Sequence, residues 1–413
     1  METETIAVIG GGFVGVSIAL ELQRRGANVR LLERKGIAAE ASAGNAGAFA
    51  FSDVIPLATP GAILRAPGWL LNPNGPLYIP PAYATNILLW LVRFLRASRP
   101  DRYVASLEAQ SRLMAFSRTA LERQVATVDG ERFLRREGQL QLYQGARGFP
   151  KSLASWRDCR DQGITYDLLR NRNEIAEIQP GLNPCFTHGA YTPDWINTTD
   201  PAAWTMHLAD CFKARGGVIE TLVVDDIRAE GAGVALKTDQ GEVRAAHAVV
   251  AAGAWSHRLT NMLGDPIPLE TERGYNTTLP HGAAYLRTHL TFPNHGFVVS
   301  KIGDGVRVGG AVELGGLTLP PRFGRADTLL RKACRFLPAL GPTGGRKWTG
   351  FRPSLPDNLP VIGRSRNHRN VVYAFGHGHL GLTQAAGTAE LVADLLWVKS
   401  PALPLSPFSA DRF

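Results

Sequence analysis

A chain of 413 residues, 45% hydrophobic and 20% charged, is too long for one simple core and reads as a globular protein of about two domains. Its formal charge of +9 and isoelectric point near 9.6 come from basic residues spread along the chain, in nothing longer than pairs such as Arg24-Arg25 and Arg135-Arg136. That dispersal argues against a nucleic-acid partner and for attraction of anionic substrates or of an anionic membrane surface.

The four cysteines, Cys159, Cys185, Cys211 and Cys334, are scattered with no CxxC pair. This suggests neither a disulfide framework nor a zinc site and fits a reducing compartment. No apolar run of about 18 residues is present to span a bilayer. The chain enters its first strand at Ile6, which leaves no room for a signal peptide, so a cytoplasmic protein is expected.

In chain order, Ile6 to Ile9 is an apolar strand that runs into glycines at positions 10, 12 and 15. A helix patterned by Val14, Ile18 and Leu22 follows and closes at Gly26, and a second strand runs from Asn28 to Leu32. In a dinucleotide-binding βαβ unit Gly10 makes the turn, Gly12 admits a pyrophosphate to the backbone and Gly15 lets helix and strand pack closely. The phosphates rest on free N–H groups at the helix start, beside Phe13 and Val14. Glu33, 18 positions beyond Gly15, is placed to accept from ribose hydroxyls, with Arg34 beside it. The alternative is an ordinary tight βα turn.

Residues 41–47, Ala-Ser-Ala-Gly-Asn-Ala-Gly, are small and polar, suited to lie against a flat cofactor through Ser42, Asn45, Ala46 and Gly47; a surface loop is the other reading. Ile87 to Arg96 reads as a helix apolar on most faces with two arginines, either an interface helix or one lying on a membrane surface. Helices are expected over 101–128, 150–162, Asp200 to Arg215, 325–336 and about Leu382 to Leu396. Strands are expected at 133–134, 139–143, Val218 to Val224, Val234 to Thr238, Glu242 to Ala246, Ala248 to Ala251 and Val371 to Phe375, with a β-rich stretch over 267–316. The buried strand ending at Ala251 leaves through Ala252, Gly253 and Trp255 in a turn able to cover a pyrophosphate or ribose. Near the C-terminus a strand, the turn Gly376-His377-Gly378-His379-Leu380-Gly381 and a helix repeat the grammar of the N-terminus.

Taken together, these segments resemble the FAD-dependent oxidoreductases of the D-amino-acid oxidase superfamily, most closely the bacterial D-amino-acid dehydrogenase branch. The resemblance rests on the N-terminal glycine turn with Glu33, on Gly44-Asn45-Ala46-Gly47, and on Ala251 to Ser256. Toward the C-terminus it rests on Gly350-Phe351-Arg352-Pro353, Pro356-Asp357 with Pro360 to Gly363, and the Gly376 to Gly381 turn. Ala66 to Leu71 with Gly75-Pro76-Leu77 also resembles the D-hydroxyproline dehydrogenase subgroup.

The resemblance implies an α/β architecture: a discontinuous Rossmann-like FAD domain (1–55, 195–262 and 345–413) and a mixed-sheet substrate domain (56–194 and 263–344). It implies noncovalent FAD, since no cysteine falls in an attachment motif, an amino-acid substrate, and a quinone or other carrier as electron acceptor. An oxygen-using sarcosine or glycine oxidase is the alternative. Hydride passes from Cα to the flavin in such a reaction, which demands orientation above all.

Arg352 matches the family's substrate-binding arginine, its planar fork suited to a carboxylate. Tyr275 is a candidate hydroxyl donor to the same carboxylate or a core tyrosine. The backbone from Gly378 to Gly381 is expected at the flavin ring, and His379 is a candidate for specificity. His377 and His379, one residue apart in a glycine turn, do not make a metal pair.

Overall fold

The computed structural model describes residues 5–61, 75, 77–397 and 399–413. Ala66 to Leu71 and Pro76, on which the subgroup resemblance partly rests, lie outside them.

The strand Thr5–Ile9 lies at the centre of a six-stranded sheet. It is flanked by Asn28–Glu33 and Val218–Thr221 on one side and by His247–Val250, Val371–Phe375 and Val361–Arg364 on the other. The first five strands run parallel and Val361–Arg364 is antiparallel. Apolar residues at every position of Ile6–Ile9 and Val371–Phe375 reflect burial on both faces. Ile6 and Val8 point into a core shared with helices Phe13–Arg24 and Gly381–Leu396, whereas Ala7 and Ile9 point to Ile227, Leu236 and Val243 of a three-stranded antiparallel sheet (residues 224–245). The strand read as Val218 to Val224 therefore divides. Val218–Thr221 stays in the parallel sheet, Leu222 donates its N–H to the Glu33 carbonyl at the sheet's end, and Val224–Glu230 starts the covering layer.

Among the described residues the second large sheet has nine strands and is chiefly antiparallel. Its order runs Arg346–Ser354, Glu270–Gly282, Gly305–Leu314, Phe297–Ile302, His289–Phe292, Gln139–Gln144, Phe186–Thr192 and Asp167–Leu169, with Leu77–Tyr78 beside Gly305–Leu314. Helix Gly324–Phe336 closes one face through Leu329, Ala333 and Phe336 against Leu279, Val306 and Phe297. The opposite face looks onto the parallel sheet. Arg346–Ser354, grouped by sequence with the cofactor-binding segments, pairs along its whole length with Glu270–Gly282 and so belongs to this second sheet. The chain returns to the first sheet only after it. The helix expected over 150–162 begins at Gly145 and carries Pro150 within its first turns.

Helix Ala84–Ala97 buries Ile87 and Trp90 against Leu314 and leaves Leu88 and Leu89 61% and 64% exposed. Among the described residues no helix is long and apolar enough to cross a membrane, and no cluster of side chains is arranged to hold a metal ion.

Candidate active site

Four parallel strands end at the same edge of the first sheet, at Ile9, Glu33, Val250 and Phe375, where an open α/β sheet places its ligand. Gly10 turns the chain there at φ +118°, a left-handed conformation; a Cβ on it would lie 2.4 Å from the Ala251 carbonyl, and one on Gly15 would lie 1.8 Å from the Gly10 carbonyl. The helix that follows starts with its N-terminus at a cavity of about 860 Å³. Ser42 Oγ accepts the Phe13 N–H at 3.1 Å, and Glu33 accepts from the Gly11 and Lys35 amides at 2.5 and 2.9 Å. A carboxylate has about four acceptor positions, so Glu33, whose side chain lines the cavity, keeps capacity for ribose hydroxyls. Arg34 stacks on Trp255 with 3.6 Å from its guanidinium carbon to the ring centre and pairs with Glu40.

The 41–47 loop is fastened from the other sheet. Buried Arg307 donates to the carbonyls of Ala43 and Asn45, and Asn276 donates to Gly44. Among the described residues Arg307 has no hydrogen-bonded carboxylate, and burial brings its pKa down to about 10. Asn45 Oδ1 accepts the Gly47 N–H, which shapes the loop.

The cavity continues from this turn onto the open face of the second sheet. Glu270–Gly282 and Arg346–Ser354 place directly opposite pairs there: Asn276 with Trp348, Gly274 with Gly350, and Glu272 with Arg352. Arg352 lies flat across Gly274; a Cβ on Gly274 would meet Nη2 at 2.4 Å and Cζ at 2.7 Å. Arg352 Nη1 donates to the Ala311 carbonyl at 3.2 Å. Ala311 has φ +58°, a left-handed conformation costly for a residue with a Cβ, and lies beside the irregularity where Gly305–Leu314 slips register against Glu270–Gly282. Burial lowers the Arg352 pKa, with the Glu272 charge opposing it. The guanidinium is thus a half-buried cation open to the cavity, with one hydrogen bond to the protein among the described residues, and its remaining donors are available to a bound anion.

His379 faces the same space and shares a 3.1 Å contact with Asp53. Its accessible surface opens onto the cavity. Burial works against its charged form, yet the hydrogen bond and charge of Asp53, with Glu272, raise its pKa overall.

The other sequence-derived candidates fall into place around these. Phe13, Val14, Asn45, Ala46, Ala252, Gly253, Gly378 and Gly381 line the cavity with Gly10, Gly12 and Trp255, whereas Gly15, Gly47, Gly376 and Leu380 stand behind its wall. The Gly378 and Leu380 amides donate to Pro353 and His377 carbonyls. Donors able to meet a cofactor include those in the first turn of the following helix, Gly381 to Thr383. His377 turns into the core against Thr388, and burial depresses its pKa to about 3, so only its backbone is at the cavity wall. Of the two readings of Tyr275, the core tyrosine fits and the substrate donor does not: its hydroxyl donates to Glu313 at 3.0 Å and accepts the Arg322 N–H at 2.9 Å, because Gly305–Leu314 and the segment after it bring polar groups to the far side of the sheet. Glu272, Gly274, Ala311, Trp348 and Asp53 were not foreseen. The sequence signal for the first was Glu270-Thr271-Glu272-Arg273, three charges in four positions of a β-rich stretch.

A glycine turn with an acid free to accept from a ribose at one end of a cavity, and an arginine open to an anion at the other, fit an oxidoreductase with room for a dinucleotide. The residues present fit FAD: the Gly10–Gly15 turn and Glu33 suit its ADP half, and the helix start at Gly381 lies where its ring can be met by N–H groups.

Comparison with known proteins agrees. Residues 5–395 match the DAO family, described as FAD dependent oxidoreductase. The chain is 36% identical to the D-amino-acid oxidase of Bradyrhizobium diazoefficiens, over 100% of this chain and 99% of that protein. It is 30% identical to D-amino acid dehydrogenase 1 of Mesorhizobium japonicum over 99% of each. Glycine oxidase from Geobacillus kaustophilus shares the fold with a TM-score of 0.79 at 23% identity, over 100% of both chains. L-proline dehydrogenase from P. horikoshii does so with a TM-score of 0.74 at 20% identity, covering 100% of this chain and 98% of the other. The chain belongs to the DAO family of FAD-dependent oxidoreductases.

Proposed function

We propose that this enzyme oxidises D-amino acids at Cα and passes the electrons through FAD to a quinone or another carrier. The observation that carries the reading is Arg352. A guanidinium at the cavity wall that lies flat over Gly274, with one protein acceptor among the described residues, is poised for a carboxylate. Bound FAD supplies the hydride acceptor. The chain's own contribution is orientation: Arg352 fixes the α-carboxylate, the wall formed by Gly44 and Trp348 limits where the rest of the substrate lies, and the N-terminus of Gly381–Leu396 presents N–H groups and a positive dipole end to the ring. His379, held by Asp53, borders the same space and is the specificity residue of this reading. The imino acid formed from a primary amine is hydrolysed by water after release.

Full-length similarity to proteins named D-amino-acid oxidase and D-amino acid dehydrogenase supports the substrate class, and the two names differ in the acceptor they imply. The test is anaerobic bleaching of the purified yellow protein. D-alanine, D-proline and cis-4-hydroxy-D-proline are set against L-proline, glycine and sarcosine. Bleaching by D-isomers is expected; bleaching by glycine or sarcosine alone overturns the reading. Peroxide formation measured against dye reduction then assigns the acceptor.

We also place the enzyme at the cytoplasmic face of a membrane, through helix Ala84–Ala97. Leu88, Leu89 and Leu95 are exposed there beside Arg96. Sedimentation with anionic vesicles that is lost in Leu88→Ser/Leu89→Ser supports this, and absence of wild-type binding refutes it.

A further inference from the structure

Three acidic side chains are buried on the two neighbouring strands Glu270–Gly282 and Gly305–Leu314, and two of them are satisfied inside the protein. Glu270 accepts from the Tyr83 hydroxyl at 2.9 Å and the Thr271 amide at 2.7 Å. Glu313 accepts from Arg273 and from the Tyr275 hydroxyl, both at 3.0 Å. Glu272, only 5% exposed, has no hydrogen bond or ion pair among the described residues, and it lines the cavity.

Glu272 stands directly opposite Arg352 in the antiparallel register. Side chains so placed project from one face with Cβ atoms about 5 Å apart. They nevertheless do not pair, since the guanidinium is drawn along the strand to Gly274 and the Ala311 carbonyl. The cavity therefore presents a cation and an anion side by side, each short of a partner. Two other charged pairs that line it, His379 with Asp53 and Arg34 with Glu40, are already made.

A substrate α-carboxylate on Arg352 leaves Glu272 as the unmatched charge. The α-amino group cannot match it through the reaction, because hydride leaves Cα only when that nitrogen is unprotonated. A second cation, carried on the substrate's side chain, can. We infer that Glu272 selects D-amino acids with a positively charged side chain, an ammonium or guanidinium, over neutral ones of the same length. This rests on the reading of Arg352 as the carboxylate clamp.

The experiment compares D-lysine with D-norleucine, which lacks only the terminal ammonium, in the FAD-loaded wild type and in Glu272→Gln. The wild type is expected to show the higher kcat/KM for D-lysine, and the variant to lose at least about 10-fold of that ratio, as for a hydrogen bond to a charged group. Preference of the wild type for D-norleucine overturns the inference. So does an unchanged ratio in the variant with both substrates slowed alike, which would assign Glu272 to the shared α-amino group. A second arm needs neither turnover nor the variant: 6-aminohexanoate and hexanoate are titrated into the wild type and followed by the flavin absorption band. Tighter binding of 6-aminohexanoate is expected, and equal or weaker binding overturns the inference. If no D-amino acid bleaches the flavin while 6-aminohexanoate still binds more tightly, the oxidation reading falls and the Glu272 site stands.

Discussion

Gly274→Ala tests the posture of Arg352 without touching its charge. Gly274 does not have positive φ, so alanine adds no backbone strain, and the added methyl meets Nη2 at 2.4 Å, Cζ at 2.7 Å and Nη1 at 3.2 Å. Those distances are too short to accept, and the atoms that must give are the end of a flexible side chain beside an open cavity. The guanidinium swings off the Ala311 carbonyl, and folding stability falls by about 1 kcal/mol, at the low end for overpacking. The catalytic cost is larger. A charge-assisted hydrogen bond to the substrate carboxylate contributes about 1.5–3 kcal/mol, so loss of its geometry lowers kcat/KM by about 10- to 150-fold. Steady-state kinetics with the best D-amino acid, with FAD content read from absorbance, measures this. In an Arg352→Ala background the same alanine should have almost no further effect, since the partner it displaces is gone. Full activity in Gly274→Ala, or additive losses in the double variant, would refute the placement of Arg352 as the clamp.

Arg352→Ala itself is expected to lower kcat/KM by about 10²- to 10³-fold, as for removal of one member of a desolvated charge pair, while the protein stays yellow. Glu33→Ala leaves the Gly11 and Lys35 amides without their acceptor and should weaken FAD binding about 10- to 100-fold, read as flavin released on ultrafiltration. Asp53→Asn removes the main group that raises the His379 pKa. The His379 charge in the wild type persists above its usual range near 6.5 and is lost as pH rises through the raised value, so the variant should lose it at lower pH, as a shifted limb in the kcat/KM profile. His289 and His377 have the opposite sign: burial brings both to about 3, so the unfolded chain takes up protons first as pH falls below about 6.5. Each then costs about 2 kcal/mol of stability by pH 5. His289→Gln should flatten the fall in thermal stability between pH 7 and 5, and an unchanged slope would sink that account.

What was legible in the sequence was what short-range order encodes. The Gly10–Gly15 turn, its strand and its helix occupy contiguous residues, and each is fixed by periodicity and a cap, so the cofactor end could be read with Glu33 and the 41–47 loop. Arg352 was reachable only through resemblance. Nothing near it in sequence tells that its guanidinium crosses a glycine 78 positions earlier, or that a left-handed alanine in a third strand turns a carbonyl toward it. Tyr275 went astray for the same reason: alternation along a strand predicts that neighbours point to opposite faces, but not which face holds the cavity. One register settles it. With Gly274 and Arg352 on the open side, Tyr275 and Arg273 must lie on the closed side, and Glu313 is the acid they find there.

The same parity makes Glu272 hard to dismiss as a structural acid. On the closed face, the sheet brings Arg273 and Glu313 of adjacent strands together at 3.0 Å. On the open face it holds Glu272 and Arg352 in adjacent positions and spends a strained residue, Ala311, on drawing the arginine aside. A buried ion pair needed only for folding would have closed on itself, since leaving two charges desolvated and apart is the more costly arrangement. Their separation makes sense as a state completed by ligand. Arg352 takes the group common to all amino acids, and the anion beside it takes the group that tells one side chain from another.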